Sequence, residues 1–223
     1  MVAALFVERD GAYYGLPNVD PWDRDRDART YAGPYPVVAH PPCERWDYFW
    51  FGGTHVGSKR YELGDDNGCF AAALASVRRW GGILEHPANS RAWKHFGLVE
   101  PQEDGGWTRA DWLDGFDGWT CCVDQGAYGH KARKTTWLYV HGVEPPALRW
   151  GRATGEFAYL RSMSKARMAE RGVTEDLATI PRRECAATPD AFRDLLLSIA
   201  RNAEPSERLK AEQRDLEVKE GER

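Results

Sequence analysis

The sequence predicts an α/β fold in which helices flank a mainly parallel sheet. Short apolar runs alternate with amphipathic segments over residues 36–142, in the order strand, helix, strand, helix and then two strands. The composition, with 42% hydrophobic and 29% charged residues, is typical of a globular protein. No apolar run approaches the roughly 18 residues of a membrane span, so no membrane contact is expected.

The first 35 residues precede this alternation. AALFVERDGAYYGL predicts a β-hairpin, because two apolar runs flank the turn signal Asp10-Gly11. Residues 17–35 contain three prolines and a glycine and predict a loop. The next segment, Pro36 to Ala39, predicts a short buried strand, which the pair Pro41-Pro42 ends.

The core elements follow. DDNGCFAAALASVRRWGG predicts a helix, with Asp65 or Asp66 as its cap and a glycine pair at its end. ILEHP predicts a strand that Pro87 ends, and NSRAWKHFG predicts a short helix with Asn89 or Ser90 as its cap. WTCCVDQ and TTWLYVHG predict two strands joined by the loop GAYGHKARK, a hairpin near the C-terminal edge of the sheet.

The predicted organisation is a single α/β domain over residues 1–203. TPDAFRDLLLSIARNA is amphipathic and predicts a C-terminal helix with Thr188 as its cap and Pro189 at its first position. The parts of the domain are a rebuilt N-terminal segment (1–35), the alternating core (36–142), an irregular insertion (143–188) and the C-terminal helix (189–203). Residues 204–223 are mostly charged and predict a disordered tail.

Charge and cysteine content limit the cellular context. The formal net charge of −4 gives no global signal for nucleic-acid binding, although a local basic patch is compatible with it. The five cysteines form no regular framework, which favours a reducing compartment. The first residues lack the pattern of a signal peptide, so a cytoplasmic location is expected.

Three polar clusters follow predicted strands: HPPC at 40–43, EHP at 85–87 and the loop 125–134. The carboxyl ends of parallel strands meet at one edge of a sheet, where ligands bind, so these clusters are expected to converge. A long aromatic loop, residues 44–64, follows the first cluster and could stack on a flat ligand, although packing a core is the commoner use of such residues.

In order and spacing, the clusters resemble the cytosine-C5 DNA methyltransferases, especially their short phage and actinobacterial members. HPPC is similar to that family's Pro-Cys nucleophile loop, and LEHPANS is similar to its Glu-Asn segment. QGAYGHKARKTTWLYVHG resembles its Gln-x-Arg-x-Arg region. The resemblance covers residues 36–142 and implies a truncated Rossmann-like methyltransferase core.

The resemblance implies covalent catalysis on a pyrimidine, with cytosine C5 in DNA as the favoured target and a base that leaves the duplex. Cys43 would attack C6, Glu85 would assist at N3 and the exocyclic amine, and Arg133 would stabilise charge at O2. A one-carbon group would then be transferred to C5. Further residues expected to contact the substrate are His40, Pro42, Trp46, His86, Gln125, His130, Lys131 and Lys134.

The sequence departs from the family in three places. The Gly-rich turn that carries S-adenosylmethionine is absent, which leaves Phe6, Asp20 and Trp22 as candidates to bind that cofactor. His86 stands where the family has asparagine. The family's target-recognition domain has no room between residue 142 and the last helix, where at most the segment 143–188 could serve. The resemblance implies DNA as the partner, and a second protein could supply sequence recognition.

Other interpretations stay open. The chain could be a non-catalytic module of the same fold that binds nucleic acid or a protein, or a cysteine-dependent enzyme acting on a free pyrimidine nucleotide. A metal site formed by His40, Cys43, His86 and the pair Cys121-Cys122 is disfavoured. Adjacent cysteines on a strand point to opposite faces, and no Cys-x-x-Cys pair exists.

Overall fold

A seven-stranded sheet forms the centre of the molecule. The computed structural model describes residues 1–48, 50–51, 61–110, 116–155, 159–160, 179–180, 182–212 and 214. The strands lie in the order β2-β1-β3-β4-β7-β6-β5. They are β1 (Val2–Leu5), β2 (Val19–Trp22), β3 (Val37–Ala39), β4 (Gly82–Pro87), β5 (Thr108–Arg109), β6 (Trp119–Asp124) and β7 (Thr135–His141).

The α/β class is confirmed, but the expectation of a mainly parallel sheet is wrong. The pairs β2–β1, β1–β3 and β3–β4 are parallel, whereas β4–β7, β7–β6 and β6–β5 are antiparallel. Only ten residues separate β6 from β7, too few for a helical crossover, so the two strands pair as a hairpin. Because β7 lies between β4 and β6, the sheet is mixed.

The predicted N-terminal hairpin is also wrong. β1 pairs in parallel with both β2 and β3, and the turn signal Asp10-Gly11 lies in a connection, where the amide of Gly11 donates to the carbonyl of Glu8 (3.0 Å). The second strand of the sheet is instead Val19–Trp22, within the segment predicted to be loop. β2 lies at the edge of the sheet, where a strand can contain a proline such as Pro21. Because proline is excluded from central strands, its presence weakened the prediction of a strand here.

Helices cover both faces of the sheet. They are α1 (Cys69–Trp80), α2 (Arg91–His95), α3 (Arg182–Ala186) and α4 (Asp190–Arg201), with 3-10 helices at Ala28–Thr30 and Gln125–Tyr128. α1 and α2 pack on the face that carries Leu84, and α4 packs on the face that carries Ile83. No helix in the described part of the chain combines the length and apolar character that crossing a bilayer requires.

Two of the candidate capping residues, Asp66 and Ser90, accept backbone hydrogen bonds at the starts of α1 and α2. The carboxylate of Asp66 accepts the amides of Gly68 (2.9 Å) and Phe70 (2.8 Å) at the start of α1. Ser90 caps α2 by accepting the amide of Ala92 (3.2 Å). Asp66 also accepts the indole N–H of Trp46 (2.8 Å), so the helix start holds the beginning of the aromatic loop. Residues 52–60 of that loop lie outside the described residues.

The C-terminal segments differ in part from expectation. Residues 207–212 are helical, Leu209 is buried, and Arg79 of α1 forms an ion pair with Glu212 (3.0 Å). The beginning of the predicted disordered tail is therefore packed on the domain, and residues 215–223 lie outside the described residues. Within 143–188, β8 (Tyr159–Leu160) and β9 (Thr179–Ile180) form a separate parallel pair.

Candidate functional site

Glu85 forms the hydrogen bonds that connect the three polar clusters at the carboxyl ends of the strands. His40 Nδ1 lies 2.9 Å from Glu85 Oε2, and Gln125 Nε2 donates to Glu85 Oε1 (3.1 Å). These residues belong to HPPC, LEHP and the 125–134 loop, which meet at the carboxyl ends of β3, β4 and β6. The expected convergence is therefore present at this carboxylate. Gln125, which is fully buried, also donates to Thr136 Oγ1 (2.9 Å) on β7.

The carboxylate of Glu85 is ionised at neutral pH. Burial by itself raises the pKa of Glu85, but the hydrogen bond from His40 and the positive charge of Lys134 outweigh burial and lower it to about 2. Glu85 therefore accepts hydrogen bonds at this edge and does not donate them.

Cys43 lies in the same electrostatic environment. Its thiol is partly buried, and burial together with the charge of Glu85 raises its pKa to about 11, while Lys134 acts in the opposite direction. The site therefore holds a thiol in its resting state. This raised pKa is the opposite of the lowered pKa that activates a cysteine nucleophile, because burial and Glu85 outweigh the charge of Lys134.

The cation that acts on both Glu85 and Cys43 is Lys134. Arg133 instead lines a neighbouring cavity of about 350 Å³, together with Asn89, Glu103 and Asp104. In the sequence analysis, Lys134 was one of the residues expected to contact the substrate.

Two predicted substrate contacts belong to the core on the α1 face. Trp46 is 2% exposed and packs against Phe70, and it leaves no open face on which a base could stack. His86 is 1% exposed and lies between Phe70 and Trp93, while its neighbour Glu85 points to the α4 face. Burial lowers the pKa of His86 to about 4, so its ring is neutral.

The remaining predicted contacts lie around the edge. Pro42 is exposed beside Cys43. The backbone amide of Ala132 donates to Nδ1 of the buried His130 (3.0 Å), which shapes the basic loop. Lys131 is exposed and forms an ion pair with Glu184 of α3 (2.7 Å).

The candidate cofactor residues do not fit S-adenosylmethionine as they stand. Asp20 already accepts from the indole of Trp22 (2.8 Å) and from Arg26 (2.5 Å), and the Arg26 guanidinium covers the Trp22 ring at 4.1 Å. Phe6 directly follows β1, has a positive φ of 59° and packs against the core.

Asp23 directly follows the parallel strand β2, in a segment that the sequence predicted to be loop. Its carboxylate accepts the hydroxyl of Tyr14 (2.6 Å) and the backbone amides of Asp25 (3.0 Å) and Arg26 (3.2 Å). The acidic groups that could hold a ribose are therefore already occupied by donors from the protein.

A larger cavity of about 1120 Å³ lies at the opposite edge of the sheet, next to His141. Its arginines already have partners: the Arg78 guanidinium lies 4.2 Å from the ring of Phe116, and Arg109 is paired with Asp117. This cavity contains none of the three clusters.

Comparison of the chain with family models, curated proteins and solved structures finds no match. The described part of the chain also contains no group of three or more histidine, cysteine or acidic side chains arranged to hold a metal ion. The geometry around Glu85 is therefore the basis for inferring a function.

Proposed function

We propose that the chain is an enzyme that activates a pyrimidine base through a covalent bond to Cys43, with cytosine C5 in DNA as the favoured target. The observation that carries the proposal is the convergence of HPPC, LEHP and the 125–134 loop on Glu85. A truncated Rossmann-like methyltransferase core is part of the same proposal. The parallel half of the sheet supports it, because β1 has β2 on one side and β3 on the other.

The proposed reaction needs only the pyrimidine base, Cys43 and protons from solvent. The thiol of Cys43 loses its proton to solvent, the sulfur adds to C6, and the C5–C6 π electrons move to C5. C5 takes a proton from solvent and then loses its original proton. The carbon–sulfur bond breaks, the double bond re-forms and the thiolate is regenerated. The net result is exchange of the hydrogen at C5.

Two groups assist these steps. The carboxylate of Glu85 accepts a hydrogen bond from the exocyclic amine of cytosine, which orients the ring. The ammonium group of Lys134 stabilises the negative charge that develops on the ring as sulfur adds. Since Lys134 acts on both Glu85 and Cys43, we assign it the role that the sequence suggested for Arg133.

Transfer of a one-carbon group to the activated C5 would require an electrophilic donor. Because the residues after β2 do not fit S-adenosylmethionine, the proposal contains no transfer step from that cofactor. DNA as the partner follows from the favoured target, and a second protein that supplies sequence recognition belongs to the same proposal.

Hydrogen exchange at C5 tests the proposal directly. The protein is incubated in deuterated water with single-stranded DNA, duplex DNA or dCMP, and deuterium at cytosine C5 is measured by mass spectrometry. We expect exchange in DNA, and its loss in Cys43→Ser but not in the matched control Cys69→Ser, since Cys69 lies at the start of α1 away from Glu85. Exchange with dCMP alone would favour the free-nucleotide enzyme, and no exchange with any substrate would contradict catalysis.

A non-catalytic role is the second candidate. The raised pKa of Cys43 and the occupied carboxylates of Asp20 and Asp23 both favour it. Binding of DNA without exchange at C5, unchanged in Cys43→Ser, is the result that this alternative predicts.

A further inference from the structure

Glu85 is connected to a residue outside all three clusters. The hydroxyl of Tyr13 lies 2.7 Å from His40 Nε2, and His40 Nδ1 lies 2.9 Å from Glu85 Oε2. The imidazole ring therefore bridges a phenol and a carboxylate. Tyr13 comes from the connection between β1 and β2, and its side chain is 3% exposed within the core on the α4 face.

The ionised state of Glu85 determines which atoms donate in these two hydrogen bonds. Glu85 is ionised and can only accept, so His40 Nδ1 carries the proton and donates to it. When the imidazole carries only this proton, the other nitrogen is an acceptor and the phenol of Tyr13 donates to Nε2. Burial and the charge of Glu85 raise the pKa of Tyr13, which keeps its hydroxyl protonated.

A residue of α4 holds the backbone next to Tyr13 in place. Arg193 Nη1 donates to the carbonyl of Ala12 (3.1 Å), directly before Tyr13. The ring of Tyr13 also contacts the ring of His40, with centroids 5.3 Å apart. These contacts hold the phenol against the imidazole from a part of the fold that is separate from the Cys43 loop.

We propose that Tyr13 is a positioning residue of this site, whose hydroxyl fixes the orientation and tautomer of His40 so that His40 hydrogen-bonds the carboxylate of Glu85. The role of Glu85 toward a base rests on the proposed function, but the hydrogen-bonded chain itself does not. Without the phenol, the Nε2 lone pair of His40 loses its donor, and the ring can rotate away from Glu85 or exchange between tautomers.

The tautomer can be measured in the whole protein by nitrogen NMR of the histidine rings, with His40→Gln used to assign the signal. In the wild type we expect a protonated Nδ1 and an unprotonated Nε2. In Tyr13→Phe we expect this pattern to be lost and the pKa of Glu85, followed by its carboxyl carbon, to rise. Tyr14→Phe is the matched control, because its hydroxyl bonds Asp23 instead of His40.

A change of the His40 signals in Tyr13→Phe but not in Tyr14→Phe supports the proposal. Unchanged His40 signals in a folded Tyr13→Phe variant, or an Nδ1 without a proton in the wild type, overturn it. A double-mutant cycle adds a second readout: Tyr13→Phe should raise the pKa of Glu85 in the wild type and have no further effect in His40→Gln. If Tyr13 acts only by packing, its effect will persist in His40→Gln.

The effect of Tyr13 on the proposed reaction is measured in a separate experiment. Where the wild type exchanges hydrogen at C5, we expect Tyr13→Phe to reduce the rate about tenfold, the size expected from losing one strong hydrogen bond, and Tyr14→Phe to leave it unchanged. Absence of exchange in the wild type would contradict the proposed function, while the NMR measurement would still decide the role of Tyr13.

Discussion

At the scale of single residues, the site combines a protonated thiol with an ionised carboxylate. A pKa of about 11 leaves about one Cys43 in ten thousand as thiolate at pH 7. Burial is the main cause of this raised pKa, and the charge of the carboxylate that would orient a cytosine adds to it. Binding of a base beside Glu85 would change this balance, because it places an N–H donor against the negative charge.

Glu85→Gln is expected to make Cys43 more reactive toward a neutral alkylating reagent. The negative charge of Glu85 disfavours the thiolate, so its removal lowers the pKa of Cys43 and raises the alkylation rate below that pKa by about tenfold. Mass spectrometry of the peptide that contains Cys43 gives the rate against pH, separately from the other four cysteines.

The matched control is Glu144→Gln, an exposed residue that lines the cavity at the opposite edge of the sheet. Its alkylation profile should equal that of the wild type. An unchanged or raised pKa of Cys43 in a folded Glu85→Gln variant would contradict the electrostatic link between the two residues.

Much of this residue-scale picture could be predicted from the sequence. The contact between the HPPC segment and Glu85 followed from their positions at the carboxyl ends of neighbouring strands. The roles of Tyr13 and Lys134 could not be predicted in the same way. Tyr13 lies in a segment predicted to form a hairpin, and the choice between Lys134 and Arg133 depends on which side of the loop each points to.

At the scale of elements, β4 presents its two polar residues to opposite faces of the sheet. Glu85 lies on the α4 face with His40 and Gln125, whereas His86 packs with Phe70 on the α1 face. The alternation of a strand explains why two adjacent residues of one motif have different surroundings. The sequence showed that both residues follow the apolar run, but the faces were fixed only by the neighbouring strands.

The start of α1 carries a prediction at the scale of elements. Asp66→Ala removes the acceptor for two backbone amides and for the indole of Trp46, so we expect unfolding to become easier by about 2–3 kcal/mol. Chemical denaturation followed by tryptophan fluorescence measures this. Asp65→Ala is the matched control, since Asp65 is exposed, and it should cost less than about 0.5 kcal/mol. Equal losses in the two variants would show that Asp66 is not the cap.

At the scale of the whole molecule, the mixed sheet is what assembles the site. Because β6 runs parallel to β4 and β7 runs in the opposite direction, the end of β6 and the beginning of β7 both reach the edge where β3 and β4 end. The hairpin thereby brings Gln125 and Lys134 to Glu85. The alternation of strands and helices predicted the α/β class and this edge. It could not predict the strand order, because strand pairing depends on contacts that are distant in sequence.

Strand pairing across the sheet also explains why the prediction of a loop at β2 was wrong. A short edge strand with Asp20 and Pro21 has little apolar character of its own, and it is held by its pairing with β1. With β2 in the sheet, Asp23 follows a second parallel strand, which is where a ribose-binding acid would be expected. Its hydrogen bonds to Tyr14 and to two backbone amides assign it to the turn.

The central claim is that the sulfur of Cys43 bonds to C6 of a pyrimidine. The most direct test is to incubate the protein with DNA that contains 2-pyrimidinone, whose C6 is open to attack, and to map the modified peptide by mass spectrometry. We expect a covalent adduct on Cys43 that is absent in Cys43→Ser and retained in Cys69→Ser. No adduct on Cys43, although the folded protein binds the DNA, would contradict the claim.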